Sequence, residues 1–390
     1  MKPLSVYLDA HASTPIAPEA LKALVSQLSV AGNPHSPHAA GAQAHAAIEE
    51  ARQAVADLIG AASGEIIFTS GATEANNLAV LGVARAAKKT SNRRVIVTSA
   101  IEHPSILEAV TALTQEGFSH RIASVGTDGR VDLLELAHLL DDEVLLVSLM
   151  AANNVSGIEQ PVRDVAALAR AAGALIHCDA AQAGGRVPLD VFALDVDFLS
   201  LSAHKMYGPP GIGALYVSAA SPVRPDPIVF GGGQEQGLRS GTAPAGLISA
   251  FGSAARLVQE HRARDADHVS GLMQRFLSAL EDLQVRFLAI GSDQHRLPGS
   301  INIAFTGCDA QELVERLSKD VALSTGSACS SGQITSSPIL DAMKIPSILK
   351  RSSVRICFNR YSDFGDAGSA AIAIAAAIRE IELATGSIVQ

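Results

Sequence analysis

At 390 residues the chain holds two or three domains, or one large α/β unit, at about 150 residues per domain. Its 48% hydrophobic and 18% charged content fills a large core and excludes a disordered chain. Thirty Lys and Arg against thirty-nine Asp and Glu leave a net charge of −9, which speaks against a broad nucleic-acid or anionic-membrane surface.

In chain order, an alanine-rich amphipathic stretch over Ala39–Ile59 predicts a helix. Short apolar runs then predict strands at Glu65–Thr69, Arg94–Ser99, Val144–Leu149, Leu175–Cys178, Phe198–Ser202 and Ala214–Val217. Helices Thr73–Ala87, Pro104–Glu116 and Val162–Ala172 fall between them. Strands that are apolar throughout and alternate with helices read as a mostly parallel sheet covered on both faces. The proline-rich connector Ser221–Pro227 ends this pattern. A helix from about Ala243 to Gln259 leads into a smaller α/β region with strands Ser300–Phe305 and Ser353–Phe358.

Cys178, Cys308, Cys329 and Cys357 are scattered, with no C-x-x-C pair, which excludes a disulfide scaffold or zinc ribbon. The N-terminal segment lacks the apolar run of a signal peptide. The longest apolar run, Ala370–Ile378, falls far short of the roughly 20 residues of a membrane span. The expectation is a cytoplasmic protein.

In open α/β sheets ligands sit beyond the carboxyl ends of the strands, so those ends locate candidate chemistry. Ser70-Gly71-Ala72-Thr73-Glu74 follows the first predicted strand, a small-residue turn opening a helix and a candidate phosphate seat. Glu102-His103-Pro104, Asn153-Asn154, Asp179-Ala-Ala-Gln182 and Ser202-Ala-His204-Lys205 follow the next four. A phosphate seat, a carboxylate and a lysine together match pyridoxal 5′-phosphate (PLP), whose aldehyde takes a lysine and whose ring nitrogen takes an acid. Nucleotide loops fit less well. There is no G-x-x-x-x-G-K-[ST], and Gly208-Pro-Pro-Gly211-Ile-Gly213 precedes a strand rather than a helix. His35, His38 and His45 lie around a proline-rich loop, Asn33–Pro37, and are not read as metal ligands. Cys329, within Ser324–Gly332, is flanked by glycine and serine, the setting of an exposed, reactive loop thiol.

These residues resemble the cysteine desulfurases of the class V aminotransferase family, fold type I PLP enzymes. The likeness runs through Tyr7-Leu-Asp9, Gly32-Asn-Pro34, Phe68–Glu74, Glu102-His103, Asn153-Asn154 and His177–Gln182. It continues through His204–Gly208, Gly231–Gln234, Arg239–Thr242 and Ser327-Ala-Cys329. The setting of Cys329 is similar to the group I, long-loop, iron–sulfur-assembly branch.

The resemblance implies a large domain over residues 16–258, with a mostly parallel seven-stranded sheet. A small domain of residues 1–15 and 259–390 would carry the cysteine loop, about 324–337. Lys205 would hold PLP through a Schiff base, Asp179 would pair with the ring nitrogen and Gln182 would bond the phenolic oxygen. His103 would stack on the ring and assist proton transfer. Ala72, Thr73, Ser202 and His204 would hold the phosphate, with Thr242 from the other subunit of a homodimer. Asn154 and Arg355 would grip the carboxylate of L-cysteine. Cys329 would take the sulfur as a persulfide, leaving L-alanine, and pass it to an acceptor in an iron–sulfur or thiolation pathway. The other activities open to such a chain are selenocysteine lyase, another class V lyase or transaminase, and a silent sulfur-relay partner. The sequence departs from the family pattern at Ala151, Val155 and Pro210, and in Gln333–Ser337. It also ends at Gln390, without the longer tail that docks an iron–sulfur scaffold in housekeeping relatives.

Overall fold

A computed structural model describes residues 6–325 and 337–385. Seven strands pair into the central sheet: β1 (Ile66–Thr69), β2 (Val95–Ser99), β3 (Ser119–Ala123), β4 (Val144–Met150), β5 (Leu175–Asp179), β6 (Phe198–Ser202) and β7 (Gly213–Val217). Their spatial order is β1-β7-β6-β5-β4-β2-β3. Only β7 runs antiparallel to its neighbours; the other pairings are parallel. Six strands are buried at every position, the condition of a sheet covered on both faces. The exception is β3, Ser-His-Arg-Ile-Ala, which is largely exposed. It closes one edge of the sheet, where half-polar strands are tolerated. Having no apolar run, it escapes a search for apolar runs.

Helices Ala39–Ile59, Pro104–Thr114 and Val162–Ala171 form as predicted, to within two residues at the ends. The segment predicted as one helix over Thr73–Ala87 is instead Ala72–Asn77 and Val83–Ala87 around a π turn at Leu78–Gly82. The helix predicted to stop near Gln259 continues as Ala245–Asp282, 38 residues long. Its first half packs Ile248, Phe251 and Val258 into the core beneath the large sheet. Its second half packs Val269, Leu272, Phe276 and Leu280 into a second core. Each such side chain contributes about 1.5–3 kcal/mol on burial, so both halves are anchored by their own cluster.

The second core lies under an antiparallel sheet of β8 (Phe287–Ile290), β9 (Ser300–Phe305), β10 (Ser324–Thr325) and β11 (Ser353–Cys357), ordered β10-β11-β9-β8. Strand alternation sends Ile301, Ile303, Phe305, Val354 and Ile356 into that core. The opposite face carries Ser300, Asn302, Arg355 and Cys357, with Ser300 facing Cys357 and Asn302 facing Arg355 across the strands. Each of these four bonds to a residue outside the small sheet: His11, Val155, Asn154 and Arg186 respectively. The N-terminal segment threads the seam between the sheets. Val6–Tyr7 pairs with Val321–Ala322, Ala10 N–H donates to Cys357 O at 3.3 Å, and Thr14 N–H donates to His204 O at 2.8 Å. The functional residues collect along this seam.

Candidate active site

Gly71, at φ +153°, turns the chain from β1 into the helix Ala72–Asn77 and brings no capping side chain. The N–H groups of that first turn are therefore left for another acceptor. Ser70 N–H donates to the Glu74 carboxylate at 2.8 Å, and Arg239 donates to the same carboxylate at 2.9 Å. Burial pushes the Glu74 carboxyl up, but the Arg239 and Ser70 hydrogen bonds outweigh it and hold its pKa low.

Asp179 ends β5 with its carboxylate accepting from Asn76 Nδ2 at 2.7 Å and from Ala181 N–H at 3.0 Å. His103 caps the helix Pro104–Thr114, and its Nδ1 accepts from Ser105 N–H at 3.1 Å. A backbone N–H only donates, so the neutral ring carries its proton on Nε2. Burial, aided by Lys205 and opposed by Asp179, keeps His103 below the ordinary histidine pKa. Next to it, Glu102 is 1% exposed. Its Oε1 accepts from the Ser99 hydroxyl and from Met150 N–H, while Oε2 has no partner among the described residues. Burial pushes Glu102 up to about 8, so it is mostly a neutral acid at pH 7.

Lys205 Nζ donates to the backbone carbonyls of His11 and of Ala12, the latter at 2.9 Å. His204, whose Nδ1 lies 3.2 Å from Ser13 Oγ, is depressed to about 4 by burial and by Lys205. Gln182 Nε2 donates to His11 O at 3.0 Å. Arg355 donates to Asn154 O at 2.8 Å and to the Asp9 carboxylate at 2.6 Å, while its buried Nε has no partner among the described residues. Asp9 also accepts from Ser324 Oγ at 3.0 Å.

One cavity of about 420 Å³ gathers Ala72, Thr73, His103, Asn154, Asp179, Gln182, Ser202, His204, Lys205 and Arg355. Its size falls within the roughly 300–1,000 Å³ of small-molecule sites. Thr242 is exposed and does not line the cavity of the single chain. Cys329 lies outside the described residues. Of the departures from the family pattern, Pro210 lines the cavity wall. Ala151 and Val155 are buried in the large core. His38, one of the three histidines not read as metal ligands, caps the helix Ala39–Ile59 by accepting from Gly41 N–H at 3.2 Å.

The sequence reading missed His11, Asn76 and Ser105, all cavity-lining. Asn76 was within reach, because it stands three residues after Thr73 and so on the same helix face. His11 follows the Tyr7-Leu-Asp9 motif, but nothing local aims it at Gln182.

The arrangement offers an anion seat, a primary amine, a carboxylate, an aromatic base and a guanidinium in one enclosure. The aminotransferase class-V family model matches residues 6–367. The mitochondrial cysteine desulfurase of Eremothecium gossypii is 42% identical over 359 residues, covering 92% of this chain and 72% of that protein. A solved NifS-like protein superposes with a TM-score of 0.87 at 32% identity, covering 99% of this chain and all of the other. SspA, solved in complex with cysteine, superposes with a TM-score of 0.80 at 31% identity, covering 92% of this chain and all of that one.

Proposed function

The chain belongs to the aminotransferase class-V family as a homologue of its cysteine desulfurases, and from that premise we propose the following reaction for its cavity. With PLP, the enzyme converts L-cysteine to L-alanine and passes the sulfur through a Cys329 persulfide to an acceptor protein. A homodimer in which Thr242 of a second copy completes the phosphate seat belongs to the same proposal. So do the division into residues 16–258 and 1–15 with 259–390, and a cytoplasmic location.

The residues present fit PLP. The uncapped turn at Ala72 and Thr73, joined by Ser202 and His204, matches the phosphate. Asp179, buried and already hydrogen-bonded, matches a protonated ring nitrogen, and Gln182 matches the phenolic oxygen. Lys205 supplies the amine that its aldehyde requires. When bound, PLP supplies an electron sink that makes the substrate Cα–H acidic and its Cβ–S bond cleavable.

The protein's own part follows from the groups on the cavity wall. Arg355, whose side chain lines the cavity, and the Asn154 amide grip the substrate carboxylate and set its orientation. Lys205 would hold the cofactor through its amine and, when that amine is free, would serve as the base for the substrate Cα proton. His103, neutral with its proton on Nε2, exchanges a proton at the ring face. The Cys329 thiolate attacks the substrate sulfur, forming an S–S bond as Cβ–S breaks, and one proton delivered to Cβ and another returned to Cα complete alanine.

The observation that carries this reading is the meeting of Lys205, Asp179, His103 and Arg355 in one cavity. Sulfide release from L-cysteine under reductant, for wild type beside Cys329→Ala, tests it. Sulfide and alanine from the wild type, with the variant yellow but inactive, are expected. A yellow wild type that releases no sulfide would overturn the reaction, and selenide from selenocysteine alone would redirect it to a lyase.

A further inference from the structure

His11 lines the cavity but has no part in the roles above. Its ring is wholly buried. Nδ1 lies 2.8 Å from Gln182 Oε1, and Nε2 lies 2.5 Å from Ser300 Oγ. The backbone sets the direction of both bonds. The far end of the Gln182 amide meets the His11 carbonyl at 3.0 Å, and only an N–H can face a carbonyl oxygen. Oε1 is therefore the atom turned to the ring. Because an amide oxygen only accepts, Nδ1 carries the proton, and Nε2 accepts from the Ser300 hydroxyl. Burial, with Arg186, Arg355 and Lys205 nearby, keeps the ring neutral. Gly157, at φ +73°, leaves the room this needs, since a Cβ there would stand 2.3 Å from Ser300 Oγ.

We propose that His11 is a positioning residue whose Nδ1–H, backed by Ser300, pins the Gln182 amide so that its remaining N–H is presented to the cavity. That N–H has no partner among the described residues. Resting on the PLP reading above, it is the donor for the phenolic oxygen. A flipped amide would set Oε1 against that oxygen, two acceptors in contact. The lock has a second consequence. Ser300 opens β9, so the small sheet takes part in holding the cofactor wall of the large one.

Two measurements on the full-length protein test this. In the cofactor-free protein labelled with ¹⁵N-histidine, the His11 signal is identified by its loss in His11→Phe. It is expected to report the neutral Nδ1–H tautomer at neutral pH; an Nε2–H or doubly protonated ring would overturn the lock. PLP is then titrated into cofactor-free wild type, His11→Phe, Gln182→Ala and the double variant. About tenfold weaker binding is expected for each single variant, with no further loss in the double. The pH midpoint of the bound cofactor's absorption change is expected to move alike in all three. A His11→Phe effect that persists in full beside Gln182→Ala would overturn the proposal, because the ring would then act by packing alone. Should His11→Phe fail to fold, Ser300→Ala replaces it, with a smaller loss and a mixed tautomer population expected. A wild type that binds no PLP would overturn the cofactor reading, whereas the labelled-histidine result judges the lock itself.

Discussion

Asn76 and Asp179 stand 103 positions apart and share a 2.7 Å hydrogen bond. The same Nδ2 reaches Ser105 Oγ at 2.9 Å, so one amide joins the helix after β1, the helix after β2 and the end of β5. Its acceptor oxygen is buried without a partner among the described residues, which leaves Nδ2 as the working end. Asn76→Asp would set two carboxylates in contact, and like charges so close cannot both ionise. PLP binding in this variant is expected to weaken at least tenfold at pH 8, because the proton the pair must share takes charge from the carboxylate that meets the ring nitrogen. Affinity equal to wild type at pH 8 would show that Asp179 needs no orienting partner.

Arg355 meets the cavity with its side chain 4% exposed and paired to Asp9. A guanidinium can hold Asp9, the Asn154 carbonyl and a substrate carboxylate together, because its donors form a rigid fork. Lysine keeps the charge but lacks the fork. Arg355→Lys is expected to raise KM for L-cysteine about 10- to 100-fold, the worth of a charged hydrogen bond or two. The turnover at saturation should change far less. A fall in kcat with KM intact would contradict the carboxylate role.

Glu102 makes stability depend on pH with a definite sign. Below its ordinary pKa of 4.5 both the folded and unfolded chain hold the proton. Between 4.5 and about 8 the unfolded chain loses it and the folded chain keeps it. Stability therefore falls as pH rises through that window and levels off above it. Glu102→Gln lacks this dependence. Its Tm is expected to gain on wild type steadily from pH 5 to pH 8, and parallel Tm curves would refute the neutral acid. His177 acts in the opposite sense. It is held near 4 by burial, between Ser148 and Ser200, and removes stability as pH falls from 6.5 to 4.

Arg52 and Glu235 form a pair whose side chains are 10% and 7% exposed. Arg52 also donates to Ile66 O at 2.8 Å and lies 4.7 Å above the Phe68 ring, while Glu235 accepts from Phe68 N–H at 2.8 Å. The pair thus ties β1, which leads into the phosphate seat, to the loop after β7. Arg52→Ala leaves a buried carboxylate uncompensated and is expected to cost about 3–5 kcal/mol, read by denaturant unfolding. A loss below 1 kcal/mol would mean that water reaches Glu235.

Much of this protein is legible in one dimension. A run such as Val144–Leu149 declares a buried strand because a strand covered on both faces carries apolar side chains on both. Lys205, Asp179, His103 and Thr73 declare themselves because a parallel sheet delivers its strand ends to one edge, whatever their spacing. The extra turns of Ala245–Asp282 are less visible, since its apolar stripe leaves one core for another near its middle. β3 is hidden because an edge strand needs no apolar run. What only the tertiary structure decides is which polar groups meet across the seam. Asp9 reaches Arg355, Asn76 reaches Asp179, and His11 reaches both Gln182 and Ser300. Those partners lie 103 to 346 positions apart, and a hydrogen bond is fixed by atoms within about 3 Å, a distance no local pattern encodes.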